Sequence, residues 1–321
     1  MTVSPALVLF FLSAAVAELL SGSAPPGEFF NPFSFVLLSC LYGSGAVLAR
    51  ELKIRWNKGY VSLFVLGAAY AIIEEGLMVK SFFDPTWIDI GILGVYGRWQ
   101  GVNWVWTEWL TIYHAIFSIV IPITLVELLY PNQRNQSWVN NKKFAGLAVL
   151  LAGVTTFGYL FLTPYRPPIL QYGFFVAVVA FLLVVAWKIP SNLGKGKLQV
   201  LASKKAAVAG FVTGMGFFLF FGTGPNLISD PLVLLIVGAG LVYLVFSFLR
   251  KYNWNKNSLY QKFALSAGAL MFLIALTPFQ EFDSSRPDNP QGMLIVGLVA
   301  LVLLILLRKR FKQTLSPQNL E

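Results

Sequence analysis

One cysteine, Cys40, and one histidine, His114, are all that the 321 residues hold of those two types, and only 12% of the chain is charged. The lone cysteine excludes an intramolecular disulfide and a cysteine-based metal cage. Soluble globular chains are about 25% charged. The scarcity of charge, with 57% apolar residues and a mean hydropathy of +0.69, therefore excludes a water-soluble fold. Acidic residues are scarcer than basic ones, 14 against 24, and the basic ones sit in short joints between apolar runs, so no nucleic-acid partner is expected.

What the chain has instead is a series of apolar runs of the length that crosses a membrane, for which about 20 residues suffice. Ten are read, at about 4–20, 33–49, 60–80, 104–129, 144–163, 170–187, 206–224, 232–249, 263–279 and 292–307. The expected fold class is all-α, a polytopic transmembrane helical bundle of about ten spans. If the N-terminus is cytoplasmic, twenty of the 24 basic residues fall on the inside. They are Arg50, Lys53, Arg55 and Lys58, then Arg134, Lys142 and Lys143, then Lys188, Lys195, Lys197, Lys204 and Lys205. Arg250, Lys251, Lys256 and Lys262 follow, and the tail adds Arg308, Lys309, Arg310 and Lys312. Only Lys80, Arg98, Arg166 and Arg286 fall outside. Such a bias orients both termini toward the cytoplasm. It also implies attraction to anionic inner-leaflet lipids. The expected setting is a multi-pass protein of a prokaryotic cell membrane. The first run, SPALVLFFLSAAVAELL, resembles a signal peptide with Ala15-Val16-Ala17 as a cleavage site, but it lacks a positive n-region, so a retained helix is expected.

Two parts are expected. Residues 1–130 form a four-helix half with every intramembrane acid, Glu18, Glu74, Glu75, Glu108 and Glu127, and a Trp-rich outer loop at 81–106. Residues 131–321 form a six-helix apolar packing half with a basic cytoplasmic tail, in which Gly210, Gly214, Gly238 and Gly240 allow close helix approach. The two halves show no internal repeat by eye. Five of the nine tryptophans lie between Trp87 and Trp109, which reads as an aromatic belt at the headgroups or as a lid over a substrate.

A charged side chain inside a spanning helix costs on the order of 3 kcal/mol, which makes intramembrane acids candidates for function. Glu74 and Glu75 adjoin near the outer end of the third span, below Lys80. Neighbouring carboxylates repel, so they are expected to share a proton or to meet a cation. The fourth span carries Thr107, Thr111, His114 and Ser118 at helical spacing, with Glu108 beside Thr111. The catalytic candidates are Glu74, Glu75 and His114. Glu18, Lys80, Arg98, Glu108, Thr111 and Ser118 are candidates for substrate binding or proton relay. A divalent metal such as zinc is a further candidate, held by Glu75 and His114; with one imidazole available, carboxylates complete the ligand set.

The diacid, followed some forty residues later by a histidine helix, resembles the CAAX-protease and bacteriocin-processing family of intramembrane peptidases over about residues 70–118. On that resemblance Glu74 and Glu75 match the diacid that activates water, and His114 the first histidine. Val79 stands where that family has arginine, with Lys80 one residue later, and Leu110 stands where it has an aromatic residue. A second histidine has no counterpart here, and that family's site is associated with the cytoplasmic side. Three functional classes are therefore weighed: a membrane-embedded hydrolase or peptidase-like enzyme, a proton-coupled transporter, and a non-catalytic assembly subunit.

Overall fold

The computed structural model describes residues 3–88, 90–193, 196, 200–254 and 258–314, and the basic-joint residues Lys195, Lys197 and Lys256 lie outside the described residues, as does the Lys312 side chain. Among the described residues, ten long helices occupy the positions of the apolar runs: α1 (Pro5–Leu19), α2 (Pro32–Arg55), α3 (Tyr60–Met78), α4 (Trp104–Leu129) and α5 (Asn141–Phe161). They continue as α6 (Ile169–Lys188), α7 (Ser203–Leu227), α8 (Pro231–Leu249), α9 (Leu259–Glu281) and α10 (Met293–Thr314). Among the described residues, α2 to α9 are long and apolar enough to cross a membrane. The protein is an all-α, multi-pass membrane bundle.

Short polar caps explain where several helices begin. Asn31 precedes Pro32 and its side chain accepts from the Phe33 amide at 3.0 Å; Asp230 precedes Pro231 and accepts from Leu232 at 2.9 Å. Asn103 and Asn140 do the same for α4 and α5. Each cap satisfies a backbone donor that the first helical turn cannot.

α3 and α4 are the most buried spans, while α5, α6 and α8 leave most of their surface exposed. The last three therefore form the periphery, α5 against α2, α6 against α3, and α8 against α4 and α7. α7 crosses α9 closely, because a Cβ on Gly210 would meet the Leu265 carbonyl at 2.0 Å and one on Gly268 the Ala207 carbonyl at 2.0 Å. At the centre, α3 rests on α4 through Gly67, whose Cβ would lie 2.8 Å from Ala115 Cα. Gly67→Ala is expected to push α3 from α4 and to destabilise the protein by about 1 to 3 kcal/mol, measurable as a lowered unfolding midpoint in detergent.

α2 continues to Arg55, beyond the expected end of its run at 49. The charge pattern places Arg50 and Lys53 in a joint on the inside; in the structure Arg50 and Glu51 are fully buried and Lys53 nearly so. They stay inside the bundle because they find partners. Arg50 meets Glu51 at 2.8 Å, Lys53 meets Glu127 at 2.8 Å, and the Arg50 guanidinium lies 3.6 Å over the Trp138 ring. Topology counting is blind to such pairing.

The described residues of the segment joining α3 to α4 are tied down by specific contacts. Lys80 starts it with φ +68°, and its ammonium donates to the Tyr159 carbonyl at 2.7 Å and to that of Thr163 at 3.1 Å, tying the segment to the end of α5. A two-stranded hairpin follows, β1 (Arg98–Trp99) pairing with β2 (Val102–Asn103). Gln100 and Gly101, both at positive φ, form its tight turn. Ile90 and Leu93 pack into a small core with Phe82 and Phe83, whereas Ile88, Ile92 and Trp99 point outward. The segment thus combines an exposed aromatic and aliphatic rim with a buried underside.

Candidate functional site

Three helices leave the α-helical path, and they do so where they carry ionisable groups. Ala15–Leu19 of α1, Ile72–Met78 of α3 and His114–Val120 of α4 are π-helical. The Leu20 amide accordingly reaches back five residues to Ala15 at 2.9 Å, and the Val79 amide to Glu74 at 3.0 Å. Such turns are rare and tend to occur at functional sites. The first contains Glu18, the second Glu74 and Glu75, the third His114 and Ser118.

The widened turns bring these side chains together. His114 Nε2 lies 3.0 Å from Glu75 Oε1, and Nδ1 lies 3.2 Å from Glu74 Oε2 and 2.8 Å from Ser118 Oγ. A Ser118 hydroxyl donating to Nδ1 leaves Nε2–H to donate to Glu75, one self-consistent tautomer. Tyr42 of α2 donates its hydroxyl within a shared contact to both Glu18 and Glu74. On the other side the Ser81 hydroxyl donates to Glu75 Oε2 and accepts from the Trp106 indole at 3.1 Å. The result is a continuous polar chain from Glu18 through Tyr42, Glu74, His114 and Glu75 to Ser81. Its scaffold is itself pinned by hydrogen bonds, Tyr113 Oη to the Ala17 carbonyl at 2.6 Å and Ser13 Oγ to the Ser118 carbonyl at 2.6 Å.

Glu74 and His114 are almost wholly buried, with side chains 5% and 3% exposed, and Glu75 at 12% is the most accessible of the three. Each of the three also offers one ligand atom, all within 4.8 Å of one another. That donor set, one imidazole and two carboxylates, could hold a divalent ion.

The sequence candidates divide into three groups. Glu18, Glu74, Glu75, His114 and Ser118 meet in the cluster. Lys80 and Arg98 do not reach the acids: Lys80 serves the α5 carbonyls, and Arg98 donates to the carbonyls of Gly94 at 2.9 Å and Phe83 at 2.7 Å. Glu108 and Thr111 face α8 instead, so the expected stripe on α4 splits between two places. Tyr42, Ser81 and Trp106 join the cluster although the sequence reading did not choose them. A signal for Tyr42 existed, since Tyr42-Gly43-Ser44-Gly45 is a polar island inside an apolar run.

A family model described as "Uncharacterized membrane protein family" matches residues 7–319, which is nearly the whole chain. The chain belongs to this family. Membership covers every helix of the bundle and every residue of the cluster. A protein from Archaeoglobus fulgidus, described as "Uncharacterized protein", is 26% identical over 160 residues. That alignment takes in 46% of this chain and 48% of the relative, so the match spans about half the relative's length. No solved structure matches.

Proposed function

We propose that the protein is a membrane-embedded hydrolase in which Glu75 is the general base and His114 its partner, acting on a lipid-linked or peptide substrate. The observation that carries this reading is an imidazole held between two carboxylates, of which Glu75 is the more accessible. Glu75 takes a proton from water, and the water oxygen attacks the electrophilic carbon or phosphorus. The bond to the leaving group breaks and Glu75 passes the water-derived proton to it, while His114, oriented by Ser118, holds the Glu75 carboxylate through its Nε2–H and stays neutral. Positioned general bases of this kind contribute about 10²- to 10⁴-fold. A divalent ion such as zinc, if held by Glu75 and His114, would polarise the scissile bond, and Glu74 would then be the carboxylate left to act as base. The resemblance of the diacid and His114 to the CAAX-protease and bacteriocin-processing peptidases runs in the same direction. In this reading residues 1–130 supply the chemistry and 131–321 the housing. Both termini face the cytoplasm, the basic joints face anionic inner-leaflet lipid, and the cluster sits in the outer half of the bilayer.

The polar chain from Glu18 to Ser81 favours a second reading, because linked donors and acceptors of this kind also pass protons. A proton-coupled transporter would use the same residues. The full chain, reconstituted in liposomes with a panel of lipid-linked and peptide substrates in ¹⁸O-labelled water, distinguishes the two. Labelled hydrolysis products formed by the wild type and lost in Glu75→Gln support the hydrolase. Solute-dependent proton uptake without labelled product supports the transporter.

A further inference from the structure

Away from the cluster, a groove of about 430 Å³ opens on the side of the bundle between α3, α4 and α8. Its walls are Phe64, Trp104, Ile112, Leu235 and Val242, and its polar spot is Thr107, Glu108 and Thr111. Glu108 Oε2 and Thr111 Oγ1 are shielded and have no hydrogen-bond partner, and among the described residues no cation pairs with Glu108. Thr107 donates to the Asn103 carbonyl at 2.7 Å, which leaves its oxygen free to accept. Gly238 makes room for the carboxylate, since a Cβ there would lie 2.9 Å from Glu108 Oε1. Leaving a carboxylate unpaired in a spanning helix is costly.

We infer that this groove binds a membrane-dissolved amphiphile with a primary-ammonium head and no phosphate. The charge is set by Glu108, and the head type by three acceptors, the carboxylate and two threonine oxygens, which match the three donors of an ammonium. Trp104 and Phe64 add aromatic faces of the kind that attract cations. Among the described residues no basic side chain lines the groove, so an anionic phosphate in the head would find no partner there. The apolar walls and the lateral opening fit an alkyl tail entering from the bilayer, because the neighbouring α8 residues Leu232, Ile236 and Tyr243 are all more than half exposed. Glu108 is four residues into α4, about 6 Å along the axis from its start. The head would thus sit near the Trp-rich end and the tail deeper. The site is separate from the chemistry of Glu75 and His114.

The test is equilibrium binding of radiolabelled dodecylamine to the full chain in zwitterionic nanodiscs, corrected for partition into empty discs. One saturable site is expected, at least tenfold tighter than for dodecanol or dodecyltrimethylammonium, with excess phosphatidylethanolamine failing to compete. Glu108→Gln is expected to weaken binding at least tenfold. Ala239→Phe, which fills the groove from α8 and leaves the carboxylate in place, should do the same. Unfolding midpoints are measured alongside, so that if one variant misfolds the other decides. Absence of a saturable site, dodecanol binding as tightly as the amine, competition by phosphatidylethanolamine, or a folded variant binding within twofold of wild type would overturn the assignment.

Discussion

Glu75→Gln is expected to lower hydrolytic turnover by about two to four orders of magnitude, the range that removal of a general base commonly costs. The substitution keeps the shape of the side chain. A glutamine carbonyl still accepts from His114 Nε2, 3.0 Å away, so the cluster should remain assembled and the unfolding midpoint should barely move. What is lost is the ability to take a proton. His114→Ala should match that loss in turnover but add a stability cost, because it leaves Glu74 and Glu75 facing each other across the emptied position. Pairing the two variants separates proton transfer from architecture. If Glu75→Gln turns over within tenfold of the wild type on the substrate identified by ¹⁸O labelling, Glu75 is not the base.

The largest stability effect is expected far from that cluster, at Glu51. Its carboxylate, fully buried, accepts from Arg50 at 2.8 Å and from the Trp138 amide at 2.8 Å, and it also contacts Ser137 and Arg55. Glu51→Ala removes the acceptor and keeps Arg50, which is fully buried and would be left partly uncompensated. Breaking a buried pair from one side costs about 3 to 5 kcal/mol, more than the pair contributes in place. Lys142→Ala, at an exposed position on α5, should stay within about 0.5 kcal/mol. Reversible unfolding in mixed micelles measures both. A Glu51→Ala cost below about 1 kcal/mol would mean that Arg50 finds water or Glu127, which lies 3.6 Å from its Nε.

The all-α bundle of apolar helices is legible in the sequence because hydropathy reports directly on the need to satisfy backbone groups inside a bilayer, although among the described residues only α2 to α9, eight of the ten expected spans, are long and apolar enough to cross one. Glu74, Glu75 and His114 were legible for the complementary reason: ionisable groups in such runs stand out against their surroundings. Pairing was not legible. Arg50 and Lys53 look like joint residues until Glu51, Glu127 and Trp138 are seen beside them. Glu74 and Glu75 point to different faces of a regular helix, and both address one imidazole from the π-helical turn at Ile72–Met78. That turn packs against α5, α6 and α4, contacts that local residue preference does not report. Helical spacing puts Thr111 on the same stripe as His114, with Glu108 beside it, yet the packing of α8 through Gly238 claims the two separately.

The contacts of α1 also bear on the order of assembly. Its Ser13 bonds to Ser118, 105 residues later, and Glu18 meets Tyr42 on α2. During synthesis, therefore, the first helix meets the membrane with a carboxylate whose tyrosine partner is still to be made and whose anchor on α4 comes much later. Nascent chains arrested before residue 114 should hold α1 loosely, open to extraction or labelling at position 18, and chains extended past α4 should lock it. The site is completed by its earliest and one of its later helices together, which makes its closure a checkpoint on the biogenesis of the whole N-terminal bundle.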